Sequence, residues 1–84
     1  MSTDQVRGHI QQIVDGILKQ KGLTPTPLTD ETRLLDGKLG VDSLDLAVIV
    51  TELQQVTGLD PFKGGFRNFR TVGELAQLYT AASQ

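Results

Sequence analysis

Cysteine and tryptophan are absent from this chain, and histidine, methionine and tyrosine occur once each. Without cysteine there are no disulfides, no thiolate metal ligands and no thiol chemistry by the protein itself. With a single histidine, His9, neither a His-rich metal site nor a Ser-His-Asp triad is expected. No apolar run is long enough to span a bilayer, and the opening "MSTDQVRGHI" lacks the basic-then-apolar layout of a secretion signal. A soluble cytoplasmic protein is therefore expected. The 84 residues suit one small domain, 1–84, with a core of marginal size.

Charge of one sign is also scarce outside the middle of the chain. Residues 1–29 carry a net +1, residues 30–60 a net −5 and residues 61–84 a net +2. An acidic middle third disfavours nucleic acid and steers basic partners, although an ordinary solvated face would read the same way. The acids do not follow the spacing of an EF-hand, and "KGG" at Lys63 lacks the order of a phosphate-binding loop.

What is present is helical patterning. Val6, Ile10, Ile13, Val14, Ile17 and Leu18 form one stripe of an amphipathic helix over about Asp4 to Lys21. Ser2 with Gln5 gives it a capping box, and Lys19, Lys21 and Gly22 suit its end. His9 falls off the stripe and is expected to face solvent. The connection "GLTPTPLTDETRLLDGKLGV" is long: Pro25 and Pro27 block helix in its first half, and Gly37 and Gly40 punctuate the second. Leu28, Leu34, Leu35 and Leu39 are its expected anchors, Asp30-Glu31-Thr32 could open a single helical turn, and mobility is expected from Thr24 to Leu39.

A second helix is predicted over Ser43–Thr57, ending at Gly58, with Leu46, Ile49, Val50, Leu53 and Thr57 facing the core. Leu44 and Val48 lie on the other side, flanked by Asp45, Glu52 and Gln55. A helix apolar nearly all round in so small a domain has a second contact surface. In "DPFKGGFRNFR", Asp60-Pro61 can start a helix carrying Phe62, Phe66 and Phe69, while Gly64-Gly65 keeps it short or irregular. Lys63, Arg67 and Arg70 among these rings could suggest nucleic acid, but phenylalanines this rare are read as core. The last helix is expected from Val72 to Ala82, with Thr71 and Glu74 as a capping box and Val72, Leu75, Leu78 and Tyr79 facing inward. The fold class is all-α: a small four-helix bundle of three main helices and one short one, with a long loop between helices 1 and 2.

Catalysis is poorly supplied, because a serine nucleophile needs a base within reach and His9 sits on another helix. Ser43 nonetheless stands out. Asp42 is the better helix cap, with Asp45 three residues on favouring the same dipole. Ser43 is then the first helical residue, with its hydroxyl free to point outward. A phosphate attached there would meet unpaired N–H groups and partial positive charge.

"LGVDSLDL", residues 39–46, resembles the phosphopantetheine attachment site of carrier proteins, with its Asp-Ser-Leu signature at the start of the second helix. The likeness runs over nearly the whole chain: the first helix, the loop with "LLDGKLG", a second helix ending "TGLD", and the closing "FRTVGELAQLY". The chain is identified as similar to the acyl carrier proteins. The resemblance implies a non-catalytic monomer whose Ser43, flanked by Asp42 and Leu44, takes phosphopantetheine from coenzyme A through a phosphopantetheinyl transferase. It implies acyl groups held as thioesters on that arm and passed among an acyl-loading ligase or transferase, a ketosynthase and other acyl-processing enzymes. Leu44, Asp45, Val48 and Glu52 would be the docking residues.

Fatty-acid carriers tend to have a richly acidic second helix, whereas Val48, Gln54 and Gln55 stand here where acids are common. Docking would rest more on apolar contact, which points from housekeeping fatty-acid synthesis toward a specialised pathway such as polyketide, modified-lipid or hybrid peptide synthesis. Two alternatives stay open. One is an aminoacyl or peptidyl carrier, although Gly40-Val41-Asp42-Ser43 resembles the acyl form more than Gly-Gly-x-Ser. The other is an unmodified helical adaptor that binds a partner through Leu44 and Val48.

Overall fold

The computed structural model describes residues 2–35, 39–65 and 68–82. Three helices follow in order: α1 (Thr3–Gln20), α2 (Ser43–Thr57) and α3 (Val72–Ala82). Each begins as the sequence directs. The Ser2 hydroxyl accepts from the Gln5 amide at 3.2 Å, and the Gln5 side chain accepts from the Ser2 amide at 2.9 Å. At α3 the Glu74 amide donates to Thr71 Oγ1 at 3.2 Å, while Glu74 Oε1 accepts from the Thr71 and Arg70 amides. These amides, Arg70's foremost, hold the Glu74 carboxyl below its ordinary range.

α1 ends in a Schellman motif. Gly22 takes a left-handed φ of 76°, Leu23 N–H donates to Leu18 O at 2.8 Å and Gly22 N–H to Lys19 O at 3.0 Å. The apolar stripe of α1 makes it the central element, with α2 and α3 both packed on it. Val6, Ile10, Val14, Ile17 and Leu18 meet Ile49 and Leu53 of α2, and Val72, Leu75, Ala76 and Tyr79 of α3, in one core. Leu34, Leu39 and Val41 from the connection complete it. Leu46, Val50, Thr57 and Leu78, all expected inside, are half-buried, as is His9, expected in solvent.

The connection departs from expectation at two points. Leu35 is 52% exposed and anchors nothing, whereas Leu34 is buried. In place of a helical turn after Asp30, the chain makes a hydrogen-bonded turn over Thr29–Thr32 and then an antiparallel bridge between Arg33 and Thr71. Leu34 N–H donates to Arg70 O at 3.0 Å, Val72 N–H to Thr32 O at 2.9 Å and Gly73 N–H to Asp30 O at 3.0 Å. These partners outside the segment satisfy the backbone more fully than one isolated turn would. The earlier part is tied to α1, where the Gln11 side chain accepts from Leu28 N–H at 2.8 Å and donates to Thr26 O at 2.9 Å.

The fourth helix of the expected bundle is not among the helices of the described residues. Residues 61–65 form consecutive turns, with Phe62 N–H donating to Asp60 Oδ1 at 3.1 Å and Gly65 N–H to Phe62 O at 3.0 Å. Gly65 at φ 130° leaves helical geometry altogether. Phe66 and Arg67 lie outside the described residues. Phe62 and Phe69 are half-buried against the core, their ring centroids 6.0 Å apart, and Phe62 meets Tyr79 edge-on at 6.4 Å. Tyr79 also bridges the outer helices, its hydroxyl donating to Val50 O at 3.2 Å. Burial pushes its pKa up to about 12, with Asp60 adding to the rise. Among the described residues no helix is long and apolar enough to cross a membrane.

Candidate functional site

The candidate site is the N-terminus of α2. Asp42 is the N-cap: its Oδ1 accepts from Asp45 N–H at 2.9 Å, and Asp45 Oδ2 accepts from Asp42 N–H at 3.1 Å. Two of the orphan donors of the first turn are thereby satisfied by acids, and Ser43 has no capping to do. Ser43 is exposed, and its hydroxyl makes no hydrogen bond among the described residues. The amides of Ser43 and Leu44 likewise have no acceptor there, so the positive end of the helix stands open beside the hydroxyl.

The approach to this turn is set by Gly40. Its φ of 90° is a conformation that favours glycine, while the nearest atom to a Cβ there, Leu23 Cδ1 at 2.8 Å, ends an exposed side chain that can move aside. Lys21, the C-cap of α1, closes the arrangement. Its ammonium donates to Gly40 O at 3.0 Å, pairs with Asp45 Oδ2, and lies 3.8 Å from Asp42 Oδ2. Lys21 and the Asp42 amide, in that order, hold the Asp45 carboxyl below its ordinary range. Lys21 is raised in turn, chiefly by Asp45.

The remaining sequence-predicted residues divide between two faces of α2. Leu44 is 77% and Val48 46% exposed, and with Glu52 they run down the solvent side one turn apart. Glu52 has no ion pair among the described residues. Val56, also exposed, continues the same stripe; its four-residue step from Glu52 was available in the sequence. Asp45 differs from these neighbours, because its side chain is only 18% exposed and is held by Lys21.

On the inner side a groove of about 450 Å³ opens directly at Ser43 and is lined by Leu46, Ala47, Val50, Thr51, Phe62 and Phe69. The rings were legible as core residues, but their place beside Ser43 was not. α2 and α3 do not come into close backbone contact, and Phe62 and Phe69 pack against the core beside them.

With this geometry in place, comparison with known proteins is informative. A family model described as the phosphopantetheine attachment site matches residues 9–79. The chain belongs to that family. Phosphopantetheine is the covalent prosthetic group of its members. The chain is also 32% identical over 74 residues to the non-reducing polyketide synthase curS2 of Aspergillus terreus, a match covering 88% of this chain. It spans about 4% of that relative's length. The residues here fit such a group: an exposed hydroxyl with no hydrogen bond among the described residues, a helix N-terminus suited to a phosphodiester, and an apolar groove at its foot.

Proposed function

We propose that this phosphopantetheine-bearing carrier is an acyl carrier of a polyketide or related specialised pathway, with Ser43 as its attachment residue. The observation that carries the assignment is the division of labour between Asp42 and Ser43: the acid caps α2 and leaves the serine hydroxyl exposed and unspent. The group, once attached, supplies a thiol on which acyl chains travel as thioesters. The chain's own part is to present and to dock. The Ser43 and Leu44 amides and the helix dipole stabilise a phosphodiester at the serine oxygen. The groove from Leu46 to Phe69 offers an apolar cargo partial shelter from water.

Leu44, Val48 and Glu52 form the face offered to partners, with Asp45 at its inner edge. Such partners are the phosphopantetheinyl transferase, an acyl-loading ligase or transferase, and a ketosynthase. The polyketide synthase relative supports the acyl reading over an aminoacyl or peptidyl one. No residue of this chain performs the chemistry on the cargo.

Incubation with coenzyme A and a broad-specificity transferase, followed by intact mass spectrometry, tests the assignment. One phosphopantetheine is expected on the wild type and none on Ser43→Ala, with the circular dichroism of both unchanged. A mass gain that survives Ser43→Ala refutes the site. Loading with adenylated amino acids in preference to acyl thioesters refutes the cargo class.

A further inference from the structure

Lys21 is not part of the family's attachment signature, yet it is paired with two of the signature's acids. Its ammonium donates to the Gly40 carbonyl and to the Asp45 carboxylate and lies 3.8 Å from the Asp42 carboxylate. Asp45 in turn is occupied twice, by Lys21 and by the Asp42 amide, and is 18% exposed. Asp42, by contrast, is 62% exposed. A carboxylate in contact with an ammonium of its own chain presents little net charge to a second cation, which must first displace the first one. Displacement here would also free the Lys21 hydrogen bond to Gly40 O, in the segment that leads into α2.

We infer that Lys21 is a positioning residue that withholds Asp45, and at longer range part of Asp42, from cationic partners, leaving Glu52 as the acid of α2, unpaired among the described residues, that a basic docking face reads first. This rests on the assignment of Ser43 as the attachment residue. The partner is identified by its chemistry: a transferase with a basic docking face, complementary to the net −5 of residues 30–60. Asp45, two residues from the serine, is thus a structural acid in the free protein and becomes a docking acid only when Lys21 lets go.

The experiment measures KM and kcat of the broad-specificity transferase for the full chain at saturating coenzyme A. Removing both partners together, in Lys21→Met/Asp45→Asn, changes no net charge and is expected to leave KM within about twofold. Asp45→Asn alone leaves Lys21 uncompensated beside Asp42 and raises KM. Lys21→Met uncovers Asp45 and is expected to lower KM about threefold to fivefold at unchanged kcat, a gain lost in the Lys21→Met/Asp45→Asn double variant. Lys21→Arg restores the wild-type value. The gain shrinks between about 50 mM and 300 mM salt as the exposed carboxylate is screened. Lys19→Met makes the same charge change two residues away, where no carboxylate is paired among the described residues, and leaves KM near wild type.

A merely structural tie would lower the melting temperature of Lys21→Met without tightening KM. A severalfold shift in KM for the Lys21→Met/Asp45→Asn double variant overturns the inference. So does an unchanged or higher KM for Lys21→Met, or an equal gain in Lys19→Met. Absence of any modification of the wild type overturns the attachment assignment instead, before any variant is compared.

Discussion

Replacing glycine by alanine at three helical positions of this protein should change stability in opposite directions. Gly16 lies inside α1, and a Cβ built on it meets nothing within 4 Å. Alanine there adds no clash and removes backbone freedom from the unfolded chain, a gain of about 0.8–1.0 kcal/mol. For a domain of this size that corresponds to a rise in melting temperature of about 4–8 °C. Gly8 is equally open. It sits about 12 Å from Gly16 along the helix axis, so the two gains should add to about 2 kcal/mol.

Gly73, in the first turn of α3, has ordinary helical geometry too, but its Cβ would lie 2.8 Å from Asp30 Cβ and 3.0 Å from Asp30 O. The loop would have to retreat, which breaks the Gly73 N–H bond to Asp30 O and strains the neighbouring one from Val72 to Thr32 O. An overpacking cost of about 1–3 kcal/mol then outweighs the propensity gain. Urea denaturation followed by circular dichroism measures all three variants. The reasoning fails if Gly73→Ala is as stable as Gly16→Ala, or if Gly16→Ala is no more stable than wild type.

Two further outcomes follow from the caps and the loop. The Glu74 carboxyl is held below its ordinary pKa in the folded state, so its contribution is present above the unfolded value and is lost as pH falls through the folded one. Glu74→Gln should therefore have a shallower loss of stability on the acid side, and an acid limb identical to wild type by urea denaturation at stepped pH would refute this. In hydrogen exchange, the amides of Leu28 and Leu34, bonded to Gln11 and to Arg70 O, should be protected while those of Thr24 and Thr26 exchange rapidly. Equal rates along the loop would contradict the tethers seen here.

Local patterns carried much of this structure. Every helix starts at a cap spelled out within four residues: Ser2 with Gln5, Asp42 with Asp45, Thr71 with Glu74. Helix periodicity placed Val6, Ile10, Val14, Ile49, Leu53 and Leu75 in the core, and the exposure of Leu44 and Val48 was legible as an apolar excess on a helix too small a domain could bury. That Asp42 rather than Ser43 caps α2 was likewise a matter of neighbouring residues competing for the same amides. Tertiary structure decided what depends on partners far apart in the chain. The bridge of Arg33 to Thr71, the exposure of Leu35 beside a buried Leu34, the groove that brings Phe62 and Phe69 to Ser43, and the hold of Lys21 on Asp45 all join segments separated by tens of residues. Capping and amphipathicity are short-range forces and can be read along the chain. Which lysine reaches which carboxylate is fixed only when the packing of α2 on α1 sets the distance between them.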